Sequence, residues 1–171
     1  MSLLDAIALA ELGLRITSPN PRVGCVLASA SGEVVGQGHT QRTGGPHAEI
    51  MALRDAAEKG LSTIGATAYV TLEPCSHHGR TGPCCDALIA AGIRKVVATN
   101  RDPNPLVAGQ GFERLRQAGI EVDVLTAESP AAIASRELNI GFFSRMVRKT
   151  PWVRMKIAAS MDGRTALENG V

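Results

Sequence analysis

The sequence predicts an α/β protein, a three-layer α/β/α sandwich with a central mixed five-stranded sheet. Short apolar segments typical of strands alternate with longer segments whose apolar residues recur at helical spacing. Proline or glycine marks the ends of most segments, as is usual at helix and strand boundaries. A tight turn joins the first two strands, whereas whole helices separate the later ones, which favours parallel pairs reached by crossover helices.

The first third of the chain is predicted to form a helix, two strands and a helix, over residues 3–16, 23–29, 33–38 and 47–59. Apolar side chains at helical spacing define the first helix, which stops before a proline-containing segment. The two strands are short apolar segments joined by a turn at Ser31-Gly32. Pro46 precedes the second helix and Gly60 closes it, the usual placement of these residues at helix ends.

The next part is predicted to alternate strands with helices, over residues 66–72, 83–91, 94–99, 112–118, 120–125 and 130–143. The first two of these strands are almost entirely apolar, which is typical of strands covered on both faces. Pro83 is well placed as the first residue of a helix, and Gly92 and Gly119 follow helix ends.

The pattern changes near the end of the chain. Residues 145–151 resemble a short basic linker, and residues 152–158 alternate in polarity like the start of another strand. A lone strand cannot bury a core of its own. The sequence therefore predicts one domain over residues 1–144 and the opening of a second, truncated domain over residues 152–171.

Composition excludes several classes of function. The chain has 171 residues, a net charge of +2, three Phe, one Tyr and one Trp. Its basic residues are scattered, without the basic stripe and aromatic platforms of a nucleic-acid-binding protein. No apolar run approaches a membrane span, and the N-terminus lacks a signal-peptide pattern. We therefore expect a cytoplasmic protein that binds neither nucleic acid nor membrane.

Histidine and cysteine concentrate at two predicted helix starts. His47-Ala48-Glu49 opens the second helix, and residues 74–84 run Pro-Cys-Ser-His-His-Gly-Arg-Thr-Gly-Pro-Cys into the third. Such crowding indicates metal binding rather than a disulfide framework. One His and two Cys form a three-ligand zinc site with a fourth position for water, as in catalytic zinc sites. Glu49 would remain free to move protons, which points to hydrolytic deamination.

The sequence offers several candidates for the third metal ligand. Zinc deaminases share His-x-Glu followed by Pro-Cys-x-x-Cys, and this chain matches all but the last position. The remaining candidates are His77, His78, Cys84 and Cys85. We favour Cys84 because it follows Pro83 into a helix, whose positive end stabilises a thiolate. Cys85 and Cys25 are expected to pack in the core.

The segment Leu-Glu-Pro-Cys-Ser-His-His-Gly-Arg-Thr-Gly-Pro-Cys-Cys at 72–85, with residues 17–25 and 102–105, resembles the bifunctional riboflavin-biosynthesis deaminase/reductase. The resemblance covers essentially the whole chain. The eight residues between the two Cys ligands distinguish this family from cytidine and tRNA-adenosine deaminases, which have two. It implies a cytidine-deaminase-like fold, and residues 156–166 resemble the opening of the family's dihydrofolate-reductase-like reductase domain.

The resemblance also implies roles for individual residues. One zinc per chain would be bound by His47, Cys75 and Cys84, with Glu49 as the proton shuttle. The family's substrate-contact positions carry Asn20, His77, Arg80, Asp102 and Asn104. His77 and Arg80 suit a phosphate, and Asp102 and Asn104 suit hydroxyls and amines. Ala158 falls on a cofactor-binding position of the reductase, whose NADPH would need the missing part of that domain.

The implied reaction is zinc-dependent hydrolytic deamination of 2,5-diamino-6-ribosylamino-4(3H)-pyrimidinone 5′-phosphate to the 5-amino-6-ribosylamino-pyrimidinedione 5′-phosphate. The expected partners are this small phosphorylated pyrimidine and further copies of the chain, in a homo-oligomer. Reductase activity is not expected. The family often carries a His seven residues before the ligand His, where this chain has Thr40 with His39 beside it, so the roles of both are left open.

Two other functions remain as alternatives. A nucleoside, nucleotide or tRNA-base deaminase would share the fold, although the long Cys spacing and Arg80 argue against it. A structural zinc module would have a closed site with four protein ligands, and His78 or Cys85 as the fourth ligand would support it.

Overall fold

A mixed five-stranded sheet forms the centre of the protein in the computed structural model, which describes residues 3–77, 82–105 and 107–166. The strands are β1 (Gly24–Ala28), β2 (Val34–His39), β3 (Thr67–Val70), β4 (Lys95–Ala98) and β5 (Glu121–Val124). Their order in the sheet is β2-β1-β3-β4-β5. β1 runs antiparallel to β2 and β3, whereas β3, β4 and β5 are parallel. The predicted mixed sheet is confirmed.

The helices are α1 (Leu3–Glu11), α2 (Ala48–Glu58), α3 (Cys84–Ala90), α4 (Gln110–Gln117), α5 (Pro130–Leu138) and α6 (Ile140–Phe143). A π-helical turn, Ser144–Arg148, follows α6 directly. α1 contacts α5, while α3 contacts both α2 and α4. Among the described residues, no helix is both long and apolar enough to cross a membrane.

Glycines in β1 and β2 allow helices to approach both faces of the sheet. A Cβ atom on Gly24 would lie 1.8 Å from the carbonyl oxygen of Ala6 in α1. A Cβ atom on Gly36 would lie 2.2 Å from the carbonyl oxygen of Ala52 in α2. Gly36 pairs with Leu27, three residues beyond Gly24, so the two glycines face opposite sides of the sheet. α1 and α2 therefore cover opposite faces, which gives the predicted three layers.

Two predicted helices differ from the observed ones. The first was expected to reach residue 16 but ends at Glu11, because Gly13 favours tighter turns over continued helix. The helix expected over residues 130–143 is interrupted at Asn139. The buried side-chain amide of Asn139 accepts a hydrogen bond from the Arg22 backbone N–H at 2.7 Å and donates one to the Arg22 carbonyl at 2.8 Å. This pairing with a distant segment outweighs the local helical pattern.

The strand predicted over residues 152–158 is not formed. All of residues 151–166 are exposed, and none of them belongs to a helix or strand. Alternating apolar side chains stabilise a strand only when a neighbouring strand supplies hydrogen bonds and a face to cover. No described residue supplies such an edge to this segment.

Candidate active site

The candidate site lies beyond the carboxyl ends of the parallel strands β3 and β4. The loops that leave these strands border an open cavity of about 370 Å³, next to the first residues of α2 and α3. In open α/β sheets, ligands bind at such strand ends because the connecting loops diverge there. The size is in the usual range for a small-molecule site.

Three potential metal ligands converge at this cavity. The Nδ1 atom of His47 lies 3.5 Å from Sγ of Cys75 and 3.4 Å from Sγ of Cys84, and all three atoms lie within 4.8 Å of one another. A tetrahedral zinc ion about 2.0–2.1 Å from nitrogen and about 2.3 Å from sulfur would separate N and S by about 3.5 Å. The donor set and its spacing therefore fit zinc.

Two helix starts position these ligands. His47 is the N-cap of α2 and has an extended backbone, so its side chain lies off the end of the helix, and Glu49 follows in the first turn. Cys84 is the first residue of α3, and its backbone N–H donates a hydrogen bond to Sγ of Cys75 at 3.4 Å. Both His47 and Glu49 line the cavity next to this end of α2, as their predicted convergence off the helix end requires.

The charge of the cluster suits a cation. The pKa of Cys75 is lowered, chiefly because the Cys84 side chain hydrogen-bonds to its sulfur, with a further contribution from His47. The same bond raises the pKa of Cys84, and the hydrogen bond to Cys75 raises the pKa of His47. A lowered pKa favours the thiolate form of Cys75, which is the form that binds a divalent cation.

Glu49 lies beside the cluster and is 3% exposed. Its pKa is raised to about 7, mainly by burial and further by the negative charge of Cys75. A carboxyl group whose pKa lies near neutrality can both accept and return a proton, which is the requirement for general acid–base catalysis.

Four predicted substrate contacts line the same cavity, namely Asn20, His77, Asp102 and Asn104. Burial raises the pKa of Asp102 to about 6, and its carboxylate accepts a hydrogen bond from the Asn104 backbone N–H at 2.8 Å. Arg80 and His78 fall outside the described residues. Ala158 lies on the exposed tail and does not line this cavity.

The remaining candidate residues are either buried in the protein core or placed around the cavity without joining the ligand cluster. Cys85 is buried, and its thiol donates to the carbonyl oxygens of Pro74 and Gly111 at 3.3 and 3.4 Å, so it lies outside the ligand cluster. Cys25 is fully buried in β1. Thr40 is 3% exposed and lines the cavity, whereas His39 is not one of the described lining residues.

Sequence reasoning missed Glu73, which is buried directly before Pro74-Cys75. Its carboxylate accepts four backbone hydrogen bonds, from the N–H groups of Asp102, Gly109, Gly111 and Phe112 at 3.1, 3.0, 2.9 and 3.3 Å. Glu73 thereby holds the loop of Asp102 and Asn104 against the cysteine loop. No local pattern in the sequence indicates these partners.

The region from α6 to the π-helical turn also contributes to the site, although the sequence predicted a linker from residue 145. Phe142, Arg145 and Met146 line the cavity. The only sequence signal was a cluster of basic residues in this segment, which gave no indication of its position beside the site.

The chain matches one protein family, and its relatives of known name share the resemblance found in the sequence. Residues 3–100 match the cytidine and deoxycytidylate deaminase zinc-binding region. Riboflavin biosynthesis protein RibD of Escherichia coli K12 is 56% identical over 165 residues, which cover 96% of this chain and 43% of that protein. This level of identity agrees with the resemblance described above.

Solved structures of similar proteins have the same fold as this chain. Acinetobacter baumannii RibD, form 2, matches with a TM-score of 0.87 and 48% identity, covering 99% of this chain and 46% of that one. The Thermotoga maritima diaminohydroxyphosphoribosylaminopyrimidine deaminase/5-amino-6-(5-phosphoribosylamino)uracil reductase gives 0.87 and 42%, covering 98% and 46%. The chain thus spans less than half the length of these relatives. Because the family match extends over more than half of the chain, the protein belongs to the family of the cytidine and deoxycytidylate deaminase zinc-binding region.

Proposed function

We propose that this chain is a zinc-dependent hydrolase that deaminates the diaminopyrimidinone ribosylamino 5′-phosphate of riboflavin biosynthesis. The observation that carries the proposal is the cluster of His47, Cys75 and Cys84 beside buried Glu49 in an open cavity. The names of the relatives, which include a deaminase/reductase of this substrate class, support the choice of substrate.

In this proposal His47, Cys75 and Cys84 hold the zinc ion, which when bound would lower the pKa of water and polarise it for attack. Glu49 takes a proton from the attacking water and delivers it to the pyrimidine ring nitrogen, and then carries the proton of the newly formed hydroxyl to the departing amine. One C–O bond forms, one C–N bond breaks, and ammonia leaves. Asp102 and Asn104 orient the ring and ribosyl groups, and the resemblance assigns His77 and Arg80 to phosphate binding.

The structural-module alternative would require a fourth protein ligand. Within the described ranges, the cluster has three members, and the Cys85 thiol is engaged by two carbonyl oxygens instead. This arrangement favours a catalytic site, which keeps a coordination position open for water.

The proposed reaction is tested by measuring ammonia release from the diaminopyrimidine substrate and, in parallel, from cytidine, dCMP and a tRNA substrate. We expect release from the first substrate and little from the others. Preference for cytidine, dCMP or tRNA would assign the chain to a different deaminase activity of the same fold. Absence of release from every substrate by the zinc-loaded protein would reject the enzyme proposal.

We expect one zinc ion per chain after purification, because the ligand atoms are already spaced for tetrahedral coordination. Elemental analysis gives the stoichiometry, and dialysis against a chelator should remove both metal and activity. Readdition of zinc should restore both. Cys75→Ala should lose the metal, whereas Cys25→Ala, a buried cysteine outside the cluster, should keep it. Activity that survives complete zinc removal would contradict the hydrolytic mechanism.

We also propose that the deaminase domain ends near residue 150, beyond the predicted boundary at residue 144, because Arg145 and Met146 line the cavity. A chain ending at Thr150 is expected to bind zinc and deaminate within about twofold of the longer one, because residues 151–166 are all exposed. Thr150 itself is kept, since its carbonyl accepts a hydrogen bond from buried Ser144 at 2.9 Å. Metal content, activity and thermal unfolding are compared. A large loss in any of them would move the domain boundary beyond residue 150.

Three further predictions accompany this proposal. A cytoplasmic location suits the four free cysteines, because reducing compartments keep thiols available as metal ligands. The homo-oligomer implied by the resemblance can be tested by light scattering on the purified chain. We expect no NADPH oxidation by the purified chain, because the described residues 151–166 form neither helix nor strand.

A further inference from the structure

A basic side chain from the segment that follows the deaminase core lines the same cavity as the metal cluster. Arg145 belongs to the π-helical turn Ser144–Arg148 and lines this cavity together with His47 and Glu49. Of the cavity-lining residues within the described part of the chain, Arg145 alone is an arginine or lysine. Arg145 lies 98 residues after His47 in the sequence, so tertiary packing brings the two residues to the same cavity.

Contacts from two sides hold the Arg145 guanidinium at the cavity rim. Nη2 donates a hydrogen bond to the carbonyl oxygen of Pro19 at 3.0 Å, and Cζ lies 6.0 Å from the centroid of the Phe142 ring. Pro19 directly precedes Asn20, a predicted substrate contact that lines the same cavity. The exposed guanidinium therefore lies at the part of the cavity wall that carries Asn20.

The guanidinium retains capacity for an anion. A guanidinium has five N–H donors, and the contacts described here use one of them. Arg145 takes part in none of the ion pairs formed by the described residues. Of the carboxylates that line the cavity, Glu73 is occupied by four backbone N–H groups, and Asp102 accepts from the Asn104 backbone.

The position of the turn is anchored on its buried side. Ser144, which precedes Arg145, is 5% exposed, and its hydroxyl donates to the Thr150 carbonyl. An anchored turn reduces the conformational entropy that Arg145 would lose on gripping a ligand.

We propose that Arg145 binds the phosphate of the substrate at the rim of the cavity. The planar guanidinium fork matches two phosphate oxygens, and the pairing is charge-assisted. This inference rests on the proposed function for the identity of the substrate, but the phosphate-binding role itself does not depend on deamination.

The test compares Arg145→Ala with Arg148→Ala in the full zinc-loaded chain. Arg148 is on the same turn and lines a separate surface groove, so it controls for loss of a positive charge. Calorimetric titrations with inorganic phosphate and with ribose 5-phosphate measure binding without requiring turnover. We expect Arg145→Ala to weaken binding of both probes about ten- to hundredfold, Arg148→Ala to leave it unchanged, and Arg145→Lys to recover part of it.

Steady-state kinetics provide the second measurement. Arg145→Ala should raise KM for the phosphorylated substrate about ten- to hundredfold with kcat within a few fold, and should leave KM for the dephosphorylated riboside unchanged. Equal effects of Arg145→Ala and Arg148→Ala on probe binding would overturn the assignment, as would equal effects on the phosphorylated substrate and its riboside. If the wild-type chain binds the probes through Arg145 yet deaminates no substrate, the proposed function fails while the phosphate site stands.

Discussion

Glu49→Gln is expected to lower the deamination rate by about two to four orders of magnitude, while the fold and zinc content remain those of the unaltered chain. Glutamine has nearly the same shape as glutamate, but it can neither accept a proton from water nor return one to the pyrimidine. Glu49 is 3% exposed with its pKa raised to about 7, so the unaltered side chain suits transfer in both directions.

The measurement is single-turnover ammonia release at saturating substrate, with metal analysis and thermal unfolding of the same samples. Glu58→Gln is a matched control, because Glu58 is an exposed carboxylate at the other end of the same helix. The control should retain full activity. Because burial disfavours the Glu49 carboxylate, Glu49→Gln should not lower thermal stability. A Glu49→Gln protein with activity within a few fold of normal would remove Glu49 from the role of proton shuttle.

Glu73→Ala is expected to destabilise the protein by on the order of 3–5 kcal/mol, because it leaves four backbone N–H groups without their acceptor. Glu73 is 4% exposed, so its hydrogen bonds to these donors are largely shielded from solvent. In many large-to-small substitutions, neighbouring segments move together and fill the space left by the shorter side chain. The segments around Glu73 cannot move closer in this way. A Cβ atom on Gly111 would lie 2.0 Å from the Pro74 carbonyl oxygen, so the two segments already meet in backbone contact.

Urea unfolding of the zinc-loaded protein measures this effect, and Glu113→Ala is the matched control. Glu113 is an exposed glutamate on α4, close in sequence to the loop that Glu73 holds, and its loss should change stability by less than about 0.5 kcal/mol. Glu73→Gln should lie between the two, because its amide keeps one acceptor oxygen but turns an NH₂ group toward backbone donors. Glu73→Ala within about 1 kcal/mol of the control would show that the four hydrogen bonds contribute little.

Activity gives a second test of Glu73. Its hydrogen bonds to Asp102 and Gly109 hold the loop that carries two proposed substrate contacts. Folded Glu73→Gln protein at low temperature should therefore show a raised KM, with zinc content unchanged. A raised KM that also appears in Glu113→Ala would point to a general effect on stability instead.

The order of helices and strands could be predicted from the sequence because it is written in local patterns. Apolar periodicity, together with Pro46, Pro83 and Gly92, placed every strand of the sheet and the helices that begin beside the site. The metal cluster was predictable for a related reason. Ligands at helix starts and in one short loop occupy positions that local geometry constrains, and His47, Cys75 and Cys84 meet in the structure.

Only the tertiary structure decided the contacts between segments that are distant in sequence. Three features depend on residues that are tens of positions away in the sequence. Glu73 accepts a hydrogen bond from Gly111, Asn139 interrupts a helix where it pairs with Arg22, and Arg145 bonds to Pro19. Periodicity reports which face of an element is buried, but it carries no information on which distant backbone group a polar side chain will meet. The sequence alone therefore determined the elements, their order and a zinc-type ligand set. The packing of the loops around that set decided which further side chains border the cavity, because those contacts form only when the whole sheet and its helices assemble.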